Sequence, residues 1–401
     1  MRTHLCYCGG IWQLVTLGAA LREARARGAV CEDDQALLLI DSSISPSMID
    51  NIRHVAPAIW SWKDIRTADT LKSFEAAARN GLWPFPVAEW RKQFQHDAGT
   101  DCVDDLWVAH LTGMDDKILF ELFPKSRISI FEDGLGILRP HTCAQWTGRD
   151  MRNLLISAPG LAVKGRLRNH LASQRVSNWR IQKHYLRRVH GVYSFINRMF
   201  PLPEPLSRRP AREVGVEAMK DTLSAYADGV ADRIDGNGRT QAHRPNEVLF
   251  LAQSVYRLGK ITREEELQAY ADVVHSLVER NYVVLWKEHP RTELPFFDDL
   301  AEQFPSAVLK QVDFPAEFPI EVYFQRHRIP VCVGLHSGSL LYLREIYGVR
   351  AYSFAEALSA RNEHYAQAYR LGARLFDSVI PDVSTMPAYD ETVKRGMREE
   401  T

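Results

Sequence analysis

The sequence has no excess of charge of either sign, because 50 Lys and Arg residues balance 50 Asp and Glu residues among 401. Net charge therefore points to no class of partner. The six cysteines show no paired CxxC spacing, which argues against a zinc site or a disulfide framework and fits a reducing cytoplasm. Internal repeats and low-complexity segments are also absent. We expect an ordinary globular protein of two or three domains, located in the cytoplasm.

The sequence also lacks a long hydrophobic run, since no segment reaches the roughly 20 apolar residues that a membrane-spanning helix needs. The apolar stretch Leu5–Leu21 follows Arg2, so a cleaved signal peptide is one alternative there. However, Gln13 interrupts the stretch and its leucines recur at helical spacing. This pattern favours a strand, a turn at Gly9-Gly10 and a helix.

Short apolar runs alternate with helical patterns along the chain, which is typical of βαβ units and a parallel sheet. We therefore predict an α/β protein of two doubly wound halves with a central cleft between them. The polar, glycine-bearing segment 235–245 marks the boundary, giving an N-terminal domain over 1–240, a C-terminal domain over 241–375 and a helical tail over 376–401 that packs back on the first domain. The predicted strands are Leu5–Cys8, Ala36–Ile40, Asp105–Leu111, Arg127–Phe131, Val248–Ala252, Tyr282–Trp286, Ala307–Val312, Val331–Leu335 and Arg350–Phe354.

Two adjacent carboxylates, Glu132 and Asp133, directly follow the predicted strand Arg127–Phe131 and precede Gly134. Ligands of open α/β sheets bind at the carboxyl ends of the strands, so acid–base chemistry would be located here. A buried carboxylate with a like-charged neighbour can act as a general base near neutral pH. The alternative is an Asp-Gly turn that follows a solvated Glu.

Three polar loops in the second half also follow strands or open helices. His289 lies in Lys-Glu-His-Pro-Arg, where it can bind a phosphate or protonate a leaving group, or can bond a backbone carbonyl. Ser337 and Ser339 precede a helix, where they can bind an anion, cap the helix or do both. Glu321 opens another helix, where it can bind a ribose diol or balance the helix dipole.

The segment 151–203 contains ten Lys or Arg residues, three histidines and no Asp or Glu. This local excess predicts an anion-binding surface, although a solvated helical face is the alternative. Nucleic acid is one candidate ligand, but no groove-reading motif or zinc pattern accompanies the charge.

The order of these motifs resembles that of the bacterial sialyltransferases and polysialyltransferases of GT-B architecture, and most closely the α-2,8-polysialyltransferases. Those families carry an Asp/Glu-Asp/Glu-Gly motif, a His-Pro motif and a paired Ser/Thr motif. The matching stretches here are Glu132-Asp133-Gly134, His289-Pro290 and Ser337-Gly338-Ser339, and Pro319-Ile-Glu321 is similar to the ribose-binding element. Gly338 separates the two serines where the family often has adjacent hydroxyl residues, which leaves open which serine contacts phosphate.

The resemblance implies a GT-B-like fold of two Rossmann-type domains and an inverting, metal-independent transfer of sialic acid from CMP-sialic acid. Glu132 would be the general base and Asp133 would orient it, while His289 would stabilise the departing CMP phosphate. The donor would be held by Gly134, Gln253, Pro290, Glu321, His336, Ser337 and Ser339. An anionic glycan acceptor would bind the basic segment through Arg175, Arg180, Lys183, Arg187 and Arg188. No cofactor, metal or nucleic acid is expected.

Capsule or surface-glycan synthesis would be the setting, at the inner membrane or with capsule-assembly proteins as peripheral partners. Within the enzyme class, the alternative is transfer of another CMP-activated ulosonic acid such as Kdo, or a single addition to a lipid-linked glycan. Outside it, the alternative is a non-enzymatic protein that binds nucleic acid or another polyanion.

Overall fold

The structure is a computed structural model of the chain. It describes residues 1–79, 86–111, 113–138, 184–204, 206–234, 243–259, 261–289, 292–315, 317–362 and 378–389. Two compact units divide the chain at Gly229 and Val230, and each is described by itself. The boundary predicted between 240 and 241 lies eleven residues further along the chain. Most of the expected linker, 235–245, falls outside the described residues.

The first unit contains a parallel sheet of seven strands in the order β3-β2-β1-β4-β5-β6-β7. The central strands are largely apolar and buried, as expected for strands that are covered on both faces. The strands are β1 (Thr3–Cys8), β2 (Gln35–Ile40), β3 (Asp64–Thr67), β4 (Asp105–Val108), β5 (Arg127–Phe131), β6 (Val189–Ser194) and β7 (Ala211–Glu213).

Helices cover both faces of this sheet. The helices are α1 (Ile11–Ala26), α2 (Pro46–Ile59), α3 (Asp69–Arg79), α4 (Val87–Ala98), α5 (Met114–Leu122) and α6 (Val216–Gly229). In one group, α1 lies close to α2 and α6, and Gly18 of α1 makes this approach possible. A Cβ on Gly18 would lie 2.4 Å from the Ile59 Cγ2 atom and 2.9 Å from the Thr222 Cγ2 atom, which is too close for a side chain. The other group packs on the face that carries Leu5, Leu37 and Ile128.

The second unit contains a parallel sheet of five strands in the order β10-β9-β8-β11-β12. Its strands are β8 (Glu247–Leu251), β9 (Val283–Lys287), β10 (Leu309–Gln311), β11 (Val331–Gly334) and β12 (Arg350–Ser353). Its helices are α7 (Ala231–Ile234), α8 (Arg263–Glu279), α9 (Phe297–Ala301), α10 (Ile320–Tyr323), α11 (Gly338–Tyr347) and α12 (Ala355–Arg361). Aromatic rings form the centre of its core, with Phe250 stacked on Trp286 at 4.7 Å between ring centroids.

Each sheet has one point at which the strand order reverses. In the first sheet the chain leaves β1 towards β2 and β3, and returns to β4 on the other side of β1. In the second sheet the chain leaves β8 towards β9 and β10, and returns to β11 on the other side of β8. Loops that leave the carboxyl ends of such strands diverge and leave a crevice, where open α/β sheets bind their ligands.

The α/β class with two doubly wound parallel sheets is confirmed, as is the strand, turn and helix at the N-terminus. The mutual arrangement of the two domains, the cleft included, stays a prediction. The sequence analysis missed β3, β6, β7 and α4, and the first three of these contain polar residues or glycine in place of a continuous apolar run. Within the described ranges, no helix is both long enough and apolar enough to cross a membrane.

Candidate functional site

Glu132 lies directly after β5 and is almost completely buried, with 2% of its surface exposed. Its Oε2 atom accepts hydrogen bonds from the Ser194 hydroxyl at 2.6 Å and from the Ile196 amide at 2.8 Å. Its backbone carbonyl accepts a bond from the Thr16 hydroxyl at 2.6 Å. The Glu132 side chain therefore ties the carboxyl end of β5 to the carboxyl end of β6.

Asp133 is the more accessible member of the acidic pair, with 31% of its side chain exposed. Its Oδ2 atom lies 2.8 Å from the Nε2 atom of His110, which follows β4 and is equally exposed. His110 was not predicted as a site residue, because it lies inside the predicted strand Asp105–Leu111 and belongs to no motif. Gly134 follows with φ at +53°, a conformation that favours glycine and turns the chain away from the sheet.

The basic segment is only partly covered by the described residues, since Arg175, Arg180 and Lys183 lie outside them. Arg187 is exposed at the surface. The Arg188 guanidinium instead donates to three backbone carbonyls, those of Ser126 at 2.9 Å, Phe120 at 3.0 Å and Phe123 at 2.5 Å. We therefore correct the role expected for Arg188 from acceptor binding to capping the carboxyl end of α5.

Ser337 and Ser339 lie at the start of α11, next to the point where the second sheet reverses. The Ser337 hydroxyl accepts a hydrogen bond from the Ser339 backbone amide at 3.3 Å and thereby caps the helix. The Ser339 hydroxyl bonds to the carboxylate of Glu321, which is buried at the start of α10. Burial raises the pKa of Glu321, although a bond from its own backbone amide, the bond from Ser339 and the charge of Lys287 each act in the opposite direction.

Lys287, the last residue of β9, is buried near Glu321, Glu317 and Glu288. Burial lowers the pKa of its ammonium to about 8, against the attraction of these carboxylates. Its Nζ atom donates to the Glu288 carbonyl at 3.4 Å, so Lys287 is a buried cation among acceptors at the carboxyl edge of the sheet.

His289 is half-buried in the loop that follows β9, while Pro290 lies outside the described residues. Its neighbour Glu288 holds this loop in place. The Glu288 Oε1 atom accepts bonds from the Trp286 indole at 2.8 Å and from the amides of Phe296 and Phe297 at 2.7 and 3.0 Å. Glu288 is thus a positioning residue that the sequence analysis missed, because Glu288 carries no signature apart from its place beside His289.

Two further predicted donor-binding residues lie at the same edge of the second sheet. The backbone amide of Gln253, two residues after β8, donates to the Tyr270 hydroxyl at 2.9 Å. The Glu266 carboxylate accepts bonds from the backbone amides of Val255 and Tyr256. His336 follows β11, and burial lowers the pKa of its imidazole to about 4. His336 is therefore neutral at physiological pH and can offer a hydrogen bond but no positive charge. Among the described residues, no cluster of three or more His, Cys, Asp or Glu side chains is grouped as a metal site.

Comparison with known protein families places these motifs in context. The family model described as alpha-2,8-polysialyltransferase (POLYST) matches residues 112–355, which is more than half of the chain. The chain belongs to the α-2,8-polysialyltransferase family. A search among curated protein sequences gave no significant match.

Solved structures of similar shape are remote in sequence. A sialyltransferase from Photobacterium damsela is 12% identical with a TM-score of 0.47, over 92% of this chain and 79% of that one. E. coli ADP-heptose lps heptosyltransferase II is 10% identical with a TM-score of 0.38, over 88% and 84%. A UDP-GlcNAc 2-epimerase from Methanocaldococcus jannaschii is 9% identical with a TM-score of 0.46, over 92% of both chains. No conclusion about activity rests on these likenesses.

Membership of the polysialyltransferase family makes this chain a glycosyltransferase of the sialyltransferase type. The matched range includes the acidic pair, the His289 loop, Glu321 and both serines. His110 lies just before the range begins. The candidate residues of this polysialyltransferase-family member form two groups, one at the carboxyl edge of each sheet, and each group is described by itself.

Proposed function

We propose that this chain transfers sialic acid from CMP-sialic acid to an anionic glycan acceptor, with inversion at the anomeric carbon and without a metal. The observation that carries the proposal is the grouping of Lys287, Glu321 and Ser339 at the carboxyl edge of the second sheet. Such a group suits a nucleotide monophosphate, because it combines a buried cation, hydroxyl donors and a carboxylate that can bind a ribose diol.

On the donor side, the phosphate of CMP would bind at the start of α11 and near Lys287. Since the Ser339 hydroxyl bonds to Glu321, we assign the phosphate contact to Ser337 and to the amides of the first helical turn. His289 would stabilise the phosphate as it leaves, held in place by the loop that Glu288 anchors. A phosphodiester is a good leaving group, so this neutralisation replaces a metal ion in the proposal.

On the acceptor side, the acidic pair Glu132-Asp133 would remove the proton of the attacking hydroxyl, and the family resemblance gives this role to Glu132. A single displacement needs no nucleophile from the protein, and it inverts the anomeric centre. Arg175, Arg180, Lys183 and the exposed Arg187 would bind the carboxylates of a growing sialic acid chain, because guanidinium groups pair well with carboxylates. Synthesis of a capsule or surface glycan on the cytoplasmic side of the membrane is the setting we propose.

The proposal is tested by incubating the purified chain with CMP-sialic acid and an oligosialic acceptor while CMP release is measured. CMP-Kdo in a parallel reaction tests the other ulosonic acid. We expect His289→Ala to lower kcat by about 100-fold or more. His275→Ala is the matched control, because His275 lies in α8 with 66% of its side chain exposed.

Near-normal turnover of His289→Ala would remove His289 from the mechanism. Absence of CMP release with either donor, together with salt-sensitive retention on nucleic acid, would support a non-enzymatic polyanion-binding protein instead.

A further inference from the structure

Glu321, the residue proposed to bind the ribose, lies in a helix that is too short to fix its own position. The helix α10 consists of four buried residues, Ile320–Tyr323, and Pro319 before it supplies no side-chain cap. Helices of this length are not stable alone and depend on contacts with the rest of the protein. The position of the Glu321 carboxylate is therefore determined by the side chains that hold α10 in place.

Tyr347, the last residue of α11, holds α10 through the backbone of Glu321. The Tyr347 hydroxyl donates to the Glu321 carbonyl at 2.9 Å. The same hydroxyl accepts a hydrogen bond from the Gln325 side-chain amide at 2.7 Å, which directs its own proton towards the carbonyl. Burial and the charge of Glu321 raise the pKa of Tyr347, so the hydroxyl keeps its proton at neutral pH. Tyr347 is therefore a fixed donor to the backbone of α10.

The Tyr347 ring is held by contacts that do not involve its hydroxyl. The Arg328 guanidinium lies over the ring at 5.4 Å from the centroid, and the Phe324 ring lies 5.6 Å away between centroids. Arg328 also donates to the Phe324 carbonyl at 2.6 Å. A phenylalanine at position 347 would keep these ring contacts and lose only the hydroxyl. The substitution Tyr347→Phe thus isolates the bond to Glu321.

The helix α11 contacts Glu321 near both of its ends. In its first turn the Ser339 hydroxyl bonds to the Glu321 carboxylate, and at its last residue the Tyr347 hydroxyl bonds to the Glu321 backbone. The start of α11 is also where the CMP phosphate would bind. One helix therefore sets the distance between the phosphate position and the carboxylate for the ribose. A nucleotide requires this distance to be fixed, because its phosphate and ribose are covalently linked.

We propose that Tyr347 is a positioning residue of the donor site, which holds the Glu321 carboxylate at the ribose diol through the backbone of α10. The proposal rests on the sialyltransferase function given above, because that function assigns the ribose to Glu321. Tyr347 acts through Glu321 and not on the nucleotide, since its hydroxyl is bonded to Glu321 and Gln325.

The experiment compares CMP with dideoxy-CMP, an analogue that keeps the base and the phosphate but lacks both ribose hydroxyls. Calorimetric titration measures the two Kd values. We expect the unmodified chain to bind CMP about tenfold more tightly than dideoxy-CMP, because the carboxylate accepts bonds from the diol. Tyr347→Phe should raise the Kd for CMP about fivefold and leave the Kd for dideoxy-CMP unchanged. The KM for CMP-sialic acid should rise by a similar factor while kcat changes little, because the ribose does not react.

Tyr282→Phe is the matched control, because the Tyr282 hydroxyl also donates to a backbone carbonyl, that of Pro387 at 3.2 Å. Tyr282 precedes β9 and so lies at the opposite edge of the sheet, and its substitution should change neither Kd. Glu321→Ala should remove the difference between the two nucleotides. Tyr347→Phe added to Glu321→Ala should change the Kd for CMP no further, because the two residues act as one unit.

Unchanged CMP binding by Tyr347→Phe would overturn the role of Tyr347. Equal weakening of CMP and dideoxy-CMP would also overturn it, because the hydroxyl would then support the domain and not the ribose contact. Equal Kd values for the two nucleotides in the unmodified chain would refute the assignment of the ribose to Glu321, and the role of Tyr347 with it. Failure of the unmodified chain to release CMP from CMP-sialic acid would refute the proposed function itself.

Discussion

Replacing Arg188 by alanine should destabilise the first domain rather than weaken acceptor binding. The guanidinium donates to three carbonyls at and beyond the carboxyl end of α5. Burial lowers its pKa, while its position at the negative end of the helix dipole favours the charged guanidinium. Its neighbour Arg187 is exposed and serves as a matched control.

The magnitude follows from these bonds. A hydrogen bond to a charged group contributes about 1.5–3 kcal/mol, and water can replace part of this because Arg188 is only partly buried. We therefore expect Arg188→Ala to lower the free energy of unfolding by about 2–4 kcal/mol. Arg188→Lys should recover less than half of this loss, because an ammonium lacks the planar fork that reaches three carbonyls at once.

Urea unfolding at neutral pH measures these differences, and Arg187→Ala should stay within about 0.5 kcal/mol of the unmodified chain. Transfer assays with short and long oligosialic acceptors complete the comparison, and Arg187→Ala should affect the long acceptor more. Unchanged stability of Arg188→Ala, or an equal loss in Arg187→Ala, would refute the capping argument.

Three further predictions concern buried charges. Glu288→Ala should lower the free energy of unfolding by roughly 3–5 kcal/mol, because three donors lose their acceptor. It should also reduce kcat, since these bonds hold the His289 loop. Glu293→Ala, at an exposed residue, is the control in urea unfolding and rate measurements. Lys287→Met should raise the KM for CMP-sialic acid about tenfold, and Lys287→Arg should raise it less. Equal KM values for Lys287→Met and the unmodified chain in steady-state assays would contradict a phosphate contact. Burial raises the pKa of Asp116 to about 7, so its contribution to stability is fully present below about pH 4 and is lost as pH rises through about 7. Asp116→Asn should remove this dependence, and unfolding free energies at pH 5 and pH 8 that still differ as in the unmodified chain would contradict the assignment.

The sequence was sufficient to predict the central strands of both sheets, because strands buried on both faces are rich in apolar residues. It was insufficient at the edges. β3 has the sequence Asp-Ile-Arg-Thr and is half-exposed throughout, so nothing in its pattern separates it from a loop. β6 lies inside the basic segment, and His190 and Gly191 interrupt the pattern of its valines and tyrosine.

The candidate site was predictable to the extent that it depends on strand ends. The acidic pair and the serines follow buried strands, and their position could be inferred from the chain alone. The direction of individual side chains could not be inferred. Arg187 and Arg188 are adjacent and identical in type, yet only Arg188 turns inward to carbonyls. The pairing of His110 with Asp133 joins two separate strands, and no local spacing encodes it.

The two carboxyl edges carry opposite chemistry, and this difference bears on function. In the first domain the carboxyl edge presents the acidic pair Glu132-Asp133, which takes the acceptor's proton in the reaction that we propose. In the second it presents Lys287, serine hydroxyls and the start of α11, which suit an anion that gains charge as it departs. A protein that only bound a polyanion would gain nothing from a carboxylate at its ligand edge, since like charges repel. The transfer that we propose uses both kinds of edge, one to take the acceptor's proton and one to stabilise the leaving phosphate.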